Sequence, residues 1–174
     1  MSEGGGRMDG YAFRRTDRQV TDIGEILEIA GKCRVIRLAM TDSDGRLYIV
    51  PMNYGYEYAG GVLSIYLHSA KSGRKLDIIK SNPNIAFELD CDNGVSCGEL
   101  PCSATCYYES ITGTGRAELL EAAEEKARAL ELLMRNVTGR VFTFDEEAVN
   151  SVAVIKVTAD SFTCKRHKGR GQIR

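Results

Sequence analysis

The chain has 174 residues, which fits a single domain, and 43% of them are hydrophobic, enough for one substantial core. Its 23 basic and 24 acidic residues nearly cancel, which excludes the strongly basic composition typical of nucleic-acid-binding proteins, although the last ten residues are locally basic. The longest uncharged stretch, residues 58–70, is too short to span a bilayer, and no basic region followed by an apolar run opens the chain. We therefore expect a cytoplasmic protein without a nucleic-acid or membrane partner.

The first predicted element is a short amphipathic helix over residues 21–31. Its apolar side chains recur at helical spacing: Ile23, Ile26, Leu27 and Ala30. Asp22, followed three residues later by Glu25, resembles a capping box, and Gly31 supplies a stop.

Residues 35–68 then change to strand periodicity. Asp44-Gly45 and Gly60-Gly61 are typical tight-turn sequences. They divide the segment into three predicted strands, over residues 35–40, 46–54 and 62–68. We expect these strands to form a three-stranded antiparallel meander.

The second half of the chain predicts two further helices and several strands. One helix covers residues 72–81 and ends at Asn82-Pro83, because the residue before a proline avoids helical geometry; the other covers residues 121–136. The predicted strands are residues 85–89, one or two strands in 104–120 with a bulge or bend at Gly113-Thr114-Gly115, and a terminal pair over 151–157 and 161–165. Many short strands with helices inserted at three points predict a mainly β protein, an antiparallel barrel or sandwich.

One segment has the composition of an anion-binding site: HSAKSGRK, residues 68–75, which leaves a predicted strand and enters a predicted helix. Ser69 and Ser72 offer hydroxyl donors, and Gly73 lets the backbone approach a ligand closely. The free amides at a helix start also favour negative charge.

Arg74 and Lys75 add two full positive charges at the start of this helix. An arginine can bind a phosphate through two parallel hydrogen bonds. The alternative is a basic, solvated first turn of a surface helix, but cations at that end oppose the helix dipole. The residues alone leave both interpretations open.

Only two histidines occur, His68 and His167. His68 lies at the edge of the proposed anion site, which makes it a candidate for cofactor or substrate contact. Its imidazole could also act as a catalytic proton donor to a reduced substrate. A structural role is the alternative for His68 and the favoured interpretation for His167.

Four cysteines crowd into one segment: Cys91, Cys97, Cys102 and Cys106. They are separated by five, four and three residues, and structural zinc sites usually need closer, paired ligands. We therefore predict no metal and interpret the cysteines as reduced thiols. A reversible redox pair of Cys102 and Cys106 is a minor alternative.

Four motifs occur in a fixed order: FRRTDR at 13–18 with Thr21-Asp22, VPMNYGY at 50–56, HSAKSGRK at 68–75, and YESI at 108–111 followed by GRAE at 115–118. In this order they resemble the pyridoxamine 5′-phosphate oxidase-like superfamily, and within it the nitroimidazole-resistance type of flavin-binding proteins. The resemblance covers residues 13–166. Residues 1–12 are expected to be a disordered lead or cloning remnant, and residues 167–174 a basic tail.

This resemblance implies a split β-barrel that forms a homodimer and binds two FMN molecules at the subunit interface. Carried over by position, the residues along the isoalloxazine ring would be Val50, Pro51, Met52, Asn53 and Tyr54. Those at the ribityl-phosphate end would be His68, Ser69, Gly73, Arg74 and Lys75. A late part of the sheet, from the partner subunit, would contribute Tyr108, Glu109 and Ser110.

The activity implied is that of an FMN-dependent oxidoreductase, which passes electrons from a reduced donor to a small acceptor such as a nitroaromatic compound. Several alternatives remain on the same fold: a non-catalytic carrier of haem, a deazaflavin or FMN, or a degenerate barrel that only mediates association. Pyridoxamine 5′-phosphate oxidase activity is less favoured. Its C-terminal basic and aromatic substrate-binding positions have no convincing counterpart in Lys165, Arg166 and His167.

Overall fold

The computed structural model describes residues 14–100 and 103–168. The strands are β1 (Gln19–Val20), β2 (Ile36–Thr41), β3 (Leu47–Met52), β4 (Gly55–Ala59), β5 (Val62–Ser69), β6 (Asn84–Ser96), β7 (Thr105–Leu119) and β8 (Ala153–His167). The helices are α1 (Ile23–Lys32), α2 (Arg74–Ser81), α3 (Ala123–Thr138) and α4 (Glu146–Ser151), with a single 3-10 turn at Thr16–Arg18 before β1. The mainly β class predicted from the sequence is confirmed.

All eight strands belong to one antiparallel sheet. Its order is β3-β2-β6-β7-β8-β5-β4, and β1 pairs with the far end of β8. The inner face carries the main core, which α1 and α2 complete with buried side chains such as Ile29 and Leu76. A second, smaller cluster packs α3 and α4 on the other side of β5 and β8, around Tyr66, Leu130 and Val149.

The three-stranded meander predicted over residues 35–68 is wrong. The segment 46–54 is not one strand, because β3 ends at Met52 and β4 begins at Gly55. β3 pairs with β2 whereas β4 pairs with β5, so the two strands lie at opposite edges of the sheet.

The break between β3 and β4 follows from the packing of Tyr54 and Gly55. Tyr54 is fully buried, and its hydroxyl donates to the carbonyl of Ala30 at 2.6 Å, where α1 ends. Gly55 lies so close to α3 that a Cβ atom there would be 2.2 Å from the backbone nitrogen of Leu133. The burial of Tyr54 and the contact of Gly55 with α3 therefore end β3, and the chain continues in a new strand that pairs with β5.

The C-terminal strand pair predicted over residues 151–157 and 161–165 is also wrong, because β8 is a single strand. The predicted irregularity is real and lies opposite Thr114 and Gly115, where the β7–β8 register shifts and Asp160 is the extra residue. β8 continues to His167, which pairs with Tyr108, so the basic tail predicted from residue 167 begins at least one residue too early. Residues 169–174 and the predicted lead over 1–12 lie outside the described residues.

The predicted helix ends are close to those observed. Asp22 caps α1 by accepting from the backbone N–H of Glu25 at 2.9 Å, and Gly139 ends α3 in the left-handed conformation. The short helix α4, capped by Asp145, was not predicted. Among the described residues, no helix is long and apolar enough to cross a membrane.

Candidate functional site

The turn between β5 and α2 presents an uncapped helix start to solvent. Gly73, immediately before α2, adopts φ +136°, a conformation that side-chain-bearing residues rarely enter, and nothing lies within 4 Å of the position of its missing Cβ. No side chain caps the first backbone amides of α2. Free amides at an exposed helix start provide the donors that an anion needs.

Two cations at this helix start are already oriented by neighbouring side chains. The ammonium group of Lys75 donates to the hydroxyl of Ser69 at 2.8 Å, and Ser69 is itself only 6% exposed. The guanidinium of Arg74 donates to a carboxylate oxygen of Asp42 at 2.9 Å and lies 4.7 Å from the ring centre of Tyr48. Because the Arg74 side chain is still 52% exposed, it can bind a ligand without leaving these partners.

Asp42 belongs to the β2–β3 turn and is held as a carboxylate. Hydrogen bonds from the backbone amide of Arg46, at 2.9 Å, and from the side chain of Arg74 lower the pKa of Asp42 despite the opposing effect of desolvation. The carboxylate thus fixes the Arg74 guanidinium beside the start of α2. No local sequence pattern indicates this partner, which lies 32 residues away.

His68 and Ser69 do not point the same way. They are consecutive residues at the end of β5, so their side chains alternate between the two faces of the sheet: His68 is exposed and Ser69 is buried. Of this predicted pair, Ser69 lies with Lys75. The role of His68 in contacting a cofactor or donating a proton stays a prediction.

The predicted isoalloxazine strip in β3 also alternates between two faces. Val50 and Met52 pack against the main core, whereas Pro51 is exposed on the opposite face. Asn53 is exposed, and its side-chain amide donates to the carbonyl of Arg34 at 2.8 Å.

The side chain of Tyr54, by contrast, belongs to the core. It has no exposed surface and is hydrogen-bonded at the end of α1. Burial raises the pKa of this phenol far above its usual range, in keeping with a neutral structural hydroxyl. Only its backbone could contact a cofactor.

The predicted cofactor residues of β7 also alternate between the two faces of the sheet. Glu109 is 4% exposed and accepts hydrogen bonds from Arg166, at 2.5 Å, and from Lys32, at 3.2 Å. Burial opposes its ionisation, but the hydrogen bonds, that of Arg166 foremost, outweigh it and lower the pKa of Glu109. The neighbouring Ser110 is half-buried on the outer face of the sheet, and the Tyr108 hydroxyl accepts from Arg18 at 3.2 Å.

Within one copy of the chain, His68 and Tyr108 lie far apart along the strands. Along the sheet, His68 pairs with Val154, next to the pair Ile155–Leu119, whereas Tyr108 pairs with His167 at the other end of β7. Eleven residues separate Tyr108 from Leu119, which is about 36 Å along an extended strand.

An apolar groove of about 300 Å³ lies on the outer face, between β3 and β7. The lining residues come from four strands and were not predicted: Arg37, Ala39, Ile49, Ala86, Phe87, Glu88, Thr112, Gly113 and Thr114. Gly113 opens the floor, since a Cβ there would lie 2.4 Å from the Phe87 ring. Only strand pairing places these residues side by side, so no local sequence pattern could have revealed the groove.

The outer face of the sheet also carries two of the predicted cofactor residues. Pro51 lies in register with Arg37, Glu88 and Thr112, and Ser110 lies two residues before Thr112 on the same face. Pro51 and Ser110 therefore flank the apolar groove. Arg37 closes one side of it through ion pairs with Glu88, at 2.9 Å, and with Asp90.

Comparison with known proteins decides the family. A family model described as pyridoxamine 5′-phosphate oxidase matches residues 22–166, which is most of the chain. The chain belongs to this family. The resemblance predicted from the four motifs is thereby confirmed, and the antiparallel sheet is the split barrel that the family predicts.

Several solved structures have the same fold as this chain. A candidate 5-nitroimidazole antibiotic resistance protein from Bacteroides thetaiotaomicron is 32% identical, with 85% of this chain and 86% of that one covered and a TM-score of 0.72. The flavocytochrome Anf3 from Azotobacter vinelandii is 17% identical over 91% of this chain and 73% of its own, with a TM-score of 0.71. A FAD and haem binding protein from Mycobacterium smegmatis is 16% identical over 87% and 74%, with a TM-score of 0.72. No curated protein sequence matches the chain.

Proposed function

We propose that this protein is a homodimeric, cytoplasmic flavoprotein that binds FMN, with the phosphate at the start of α2. The observation that carries the proposal is the pair of pre-oriented cations, Arg74 and Lys75, beside an uncapped helix start. The donor set fits a phosphate monoester: free amides, the Ser69 hydroxyl, one ammonium and one guanidinium.

Electrostatics explains why a structural role alone accounts poorly for these cations. Positive charges at a helix N-terminus oppose the helix dipole, at a cost of about 0.3–1 kcal/mol each. Asp42 offsets only Arg74, and Lys75 is bonded to a neutral hydroxyl. A dianionic phosphate at this position would attract both side chains and outweigh their repulsion from the positive end of the helix dipole.

We infer that the isoalloxazine ring lies against the outer face near Pro51 and the apolar groove. This surface is apolar enough for an aromatic ring, and Ser110 lies on its far side. Ile49 is 64% and Leu47 81% exposed along the edge strand β3, and a second copy packed on this face would bury both. The family resemblance implies that this second copy also contributes its own Tyr108–Ser110 segment to the cofactor.

The bound flavin would supply two-electron transfer from a reduced donor to a small acceptor. The likeness to a candidate 5-nitroimidazole resistance protein supports a nitroaromatic acceptor. The chain's own part would be to hold the phosphate and to exclude water from one side of the ring. We further propose that the exposed imidazole of His68 delivers a proton to the reduced acceptor.

Absorption spectroscopy and mass spectrometry of the cofactor that co-purifies test the proposal first. A flavin spectrum with the mass of FMN is expected, whereas a haem Soret band or a protein that FMN neither colours nor stabilises would overturn it. Anaerobic reduction with a nicotinamide donor, followed by reoxidation with a nitroimidazole, then tests turnover. If the flavin reoxidises no faster with the nitroimidazole than without it, the protein is a flavin carrier and does not turn over this acceptor.

Charge removal locates the phosphate. Lys75→Met should weaken FMN binding at least ten-fold, because it removes one charge-assisted hydrogen bond worth about 1.5–3 kcal/mol. The matched control is Lys80→Met, which removes the same charge from the exposed last turn of the same helix. Equal affinities of the two variants would place the phosphate elsewhere.

A further inference from the structure

Two cysteines distant in sequence hold their sulfur atoms in contact. The Sγ atoms of Cys33 and Cys91 are 2.6 Å apart, compared with about 2.05 Å in a disulfide bond. Cys33 is 1% exposed, whereas Cys91 is partly exposed. Among the five cysteines that the structure describes, these two are the pair whose sulfurs contact each other.

The sheet register holds the two sulfurs together. Cys33 follows α1 directly, and its backbone N–H donates to the carbonyl of Ile29 at 3.2 Å. Three residues later, Ile36 pairs with Leu89, which lies two residues before Cys91 on β6. A helix end and a paired strand thus fix both backbones, so that bond formation requires little movement.

We propose that Cys33 and Cys91 are a modification site, oxidised reversibly to an intramolecular disulfide by a small-molecule disulfide of the glutathione class. The Cys91 thiolate attacks the small disulfide, which forms a mixed disulfide and releases one thiolate. The Cys33 thiolate then attacks the Cys91 sulfur, which forms the Cys33–Cys91 bond and releases the second thiolate. The protein loses two electrons and two protons, and the small disulfide gains both as two thiols.

Exposure sets the order of these steps. Cys91 is the cysteine that a reagent can reach, and Cys33 reacts only with a partner already beside it. Burial raises the pKa of both thiols, and for Cys91 the hydrogen bond with Cys33 and the charge of Lys32 oppose this effect. The exchange is therefore expected to be slow at neutral pH, and the pair stays reduced unless the disulfide pool rises.

The test uses the full wild-type chain incubated with oxidised glutathione, then denatured, alkylated and mapped by peptide mass spectrometry. We expect a cross-linked Cys33–Cys91 peptide that disappears on reduction with dithiothreitol. The oxidised protein should melt about 5 °C or more above the reduced one, because the cross-link constrains the unfolded chain. In Cys33→Ala, the mixed disulfide should instead persist on Cys91.

Cys164→Ala is the matched control, since it removes a thiol that is equally buried but is not part of the pair. This variant should form the cross-link as the wild type does. Complete alkylation of Cys33 and Cys91 after oxidation, or cross-links that join only other cysteines, would overturn the proposal. The measurement on the wild-type chain decides the matter even if a variant does not fold.

Discussion

Replacing Glu109 by glutamine should destabilise the protein without weakening FMN binding. The carboxylate is 4% exposed and bonded to Arg166, whose side chain is 10% exposed. Glutamine preserves the shape but leaves the guanidinium without its buried counter-charge. Breaking a buried pair costs about 3–5 kcal/mol. Because Arg166 keeps its ion pair with Glu25 at 2.6 Å, we expect a smaller loss, about 2 kcal/mol in the free energy of unfolding.

Urea unfolding followed by circular dichroism measures this loss, with Glu28→Gln, an exposed residue of α1, as the control for charge. Adding Arg166→Met to Glu109→Gln should restore part of the stability, because the second change removes the unpaired cation. A Glu109→Gln variant as stable as Glu28→Gln would refute the buried-pair argument. Weaker FMN binding in a correctly folded variant would return Glu109 to the cofactor site.

The same pair makes a prediction about pH. The pKa of Glu109 in the folded protein is below its ordinary value of 4.5, so its stabilising contribution is complete above that value and is lost as the pH falls through the folded pKa. Wild-type stability should therefore decrease below about pH 4.5 more steeply than that of Glu109→Gln. Parallel curves in acid would contradict the assignment.

Three further changes test the packing that positions the site. Tyr54→Phe should cost about 1–2 kcal/mol, because it removes the buried hydrogen bond to the Ala30 carbonyl. Gly55→Ala should cost more than about 3 kcal/mol, because the new Cβ would meet the backbone of α3 at 2.2 Å. The Asp145 side chain caps α4 by accepting from the Ala148 N–H at 2.8 Å, so Asp145→Ala should cost about 1 kcal/mol. Chemical denaturation measures all three.

Matched substitutions show whether these losses have the stated causes. Tyr56→Phe removes a half-buried hydroxyl that donates to the Leu27 carbonyl at 2.8 Å, and it should cost less than Tyr54→Phe. Gly45→Ala introduces a Cβ at φ +77° into open space, so it should cost only about 1 kcal/mol. If Gly55→Ala cost no more than Gly45→Ala, the close approach of α3 would not explain the break between β3 and β4.

Local patterns predicted the local structure well. Features that neighbours along the chain determine could be predicted: the helical spacing in α1, the Asn82-Pro83 stop after α2 and the bulge beside Gly115. The pairing of the strands could not be predicted. Alternation in residues 46–54 indicates a strand, but it carries no information on the burial of Tyr54, which separates β3 from β4.

The same distinction between local and long-range features applies to the candidate site. The start of α2 could be predicted because its glycine, serine and cations are consecutive. Asp42, which orients Arg74, and the groove around Gly113 could not, because long-range pairing brings them there. Glu109 matched a family motif, yet its burial beside Arg166 gives it a structural partner that no motif reveals.

The affinity ratio of FMN to riboflavin tests the central claim most directly, since the two ligands differ only in the phosphate. The wild type should bind FMN about 100-fold or more tightly than riboflavin, through two charge-assisted contacts worth about 1.5 kcal/mol or more each. In the Arg74→Met/Lys75→Met variant the ratio should fall at least about ten-fold while riboflavin affinity stays unchanged, because the backbone amides and the Ser69 hydroxyl remain. Equal affinities in the wild type, or a ratio that the double substitution leaves intact, would contradict a phosphate site at the start of α2.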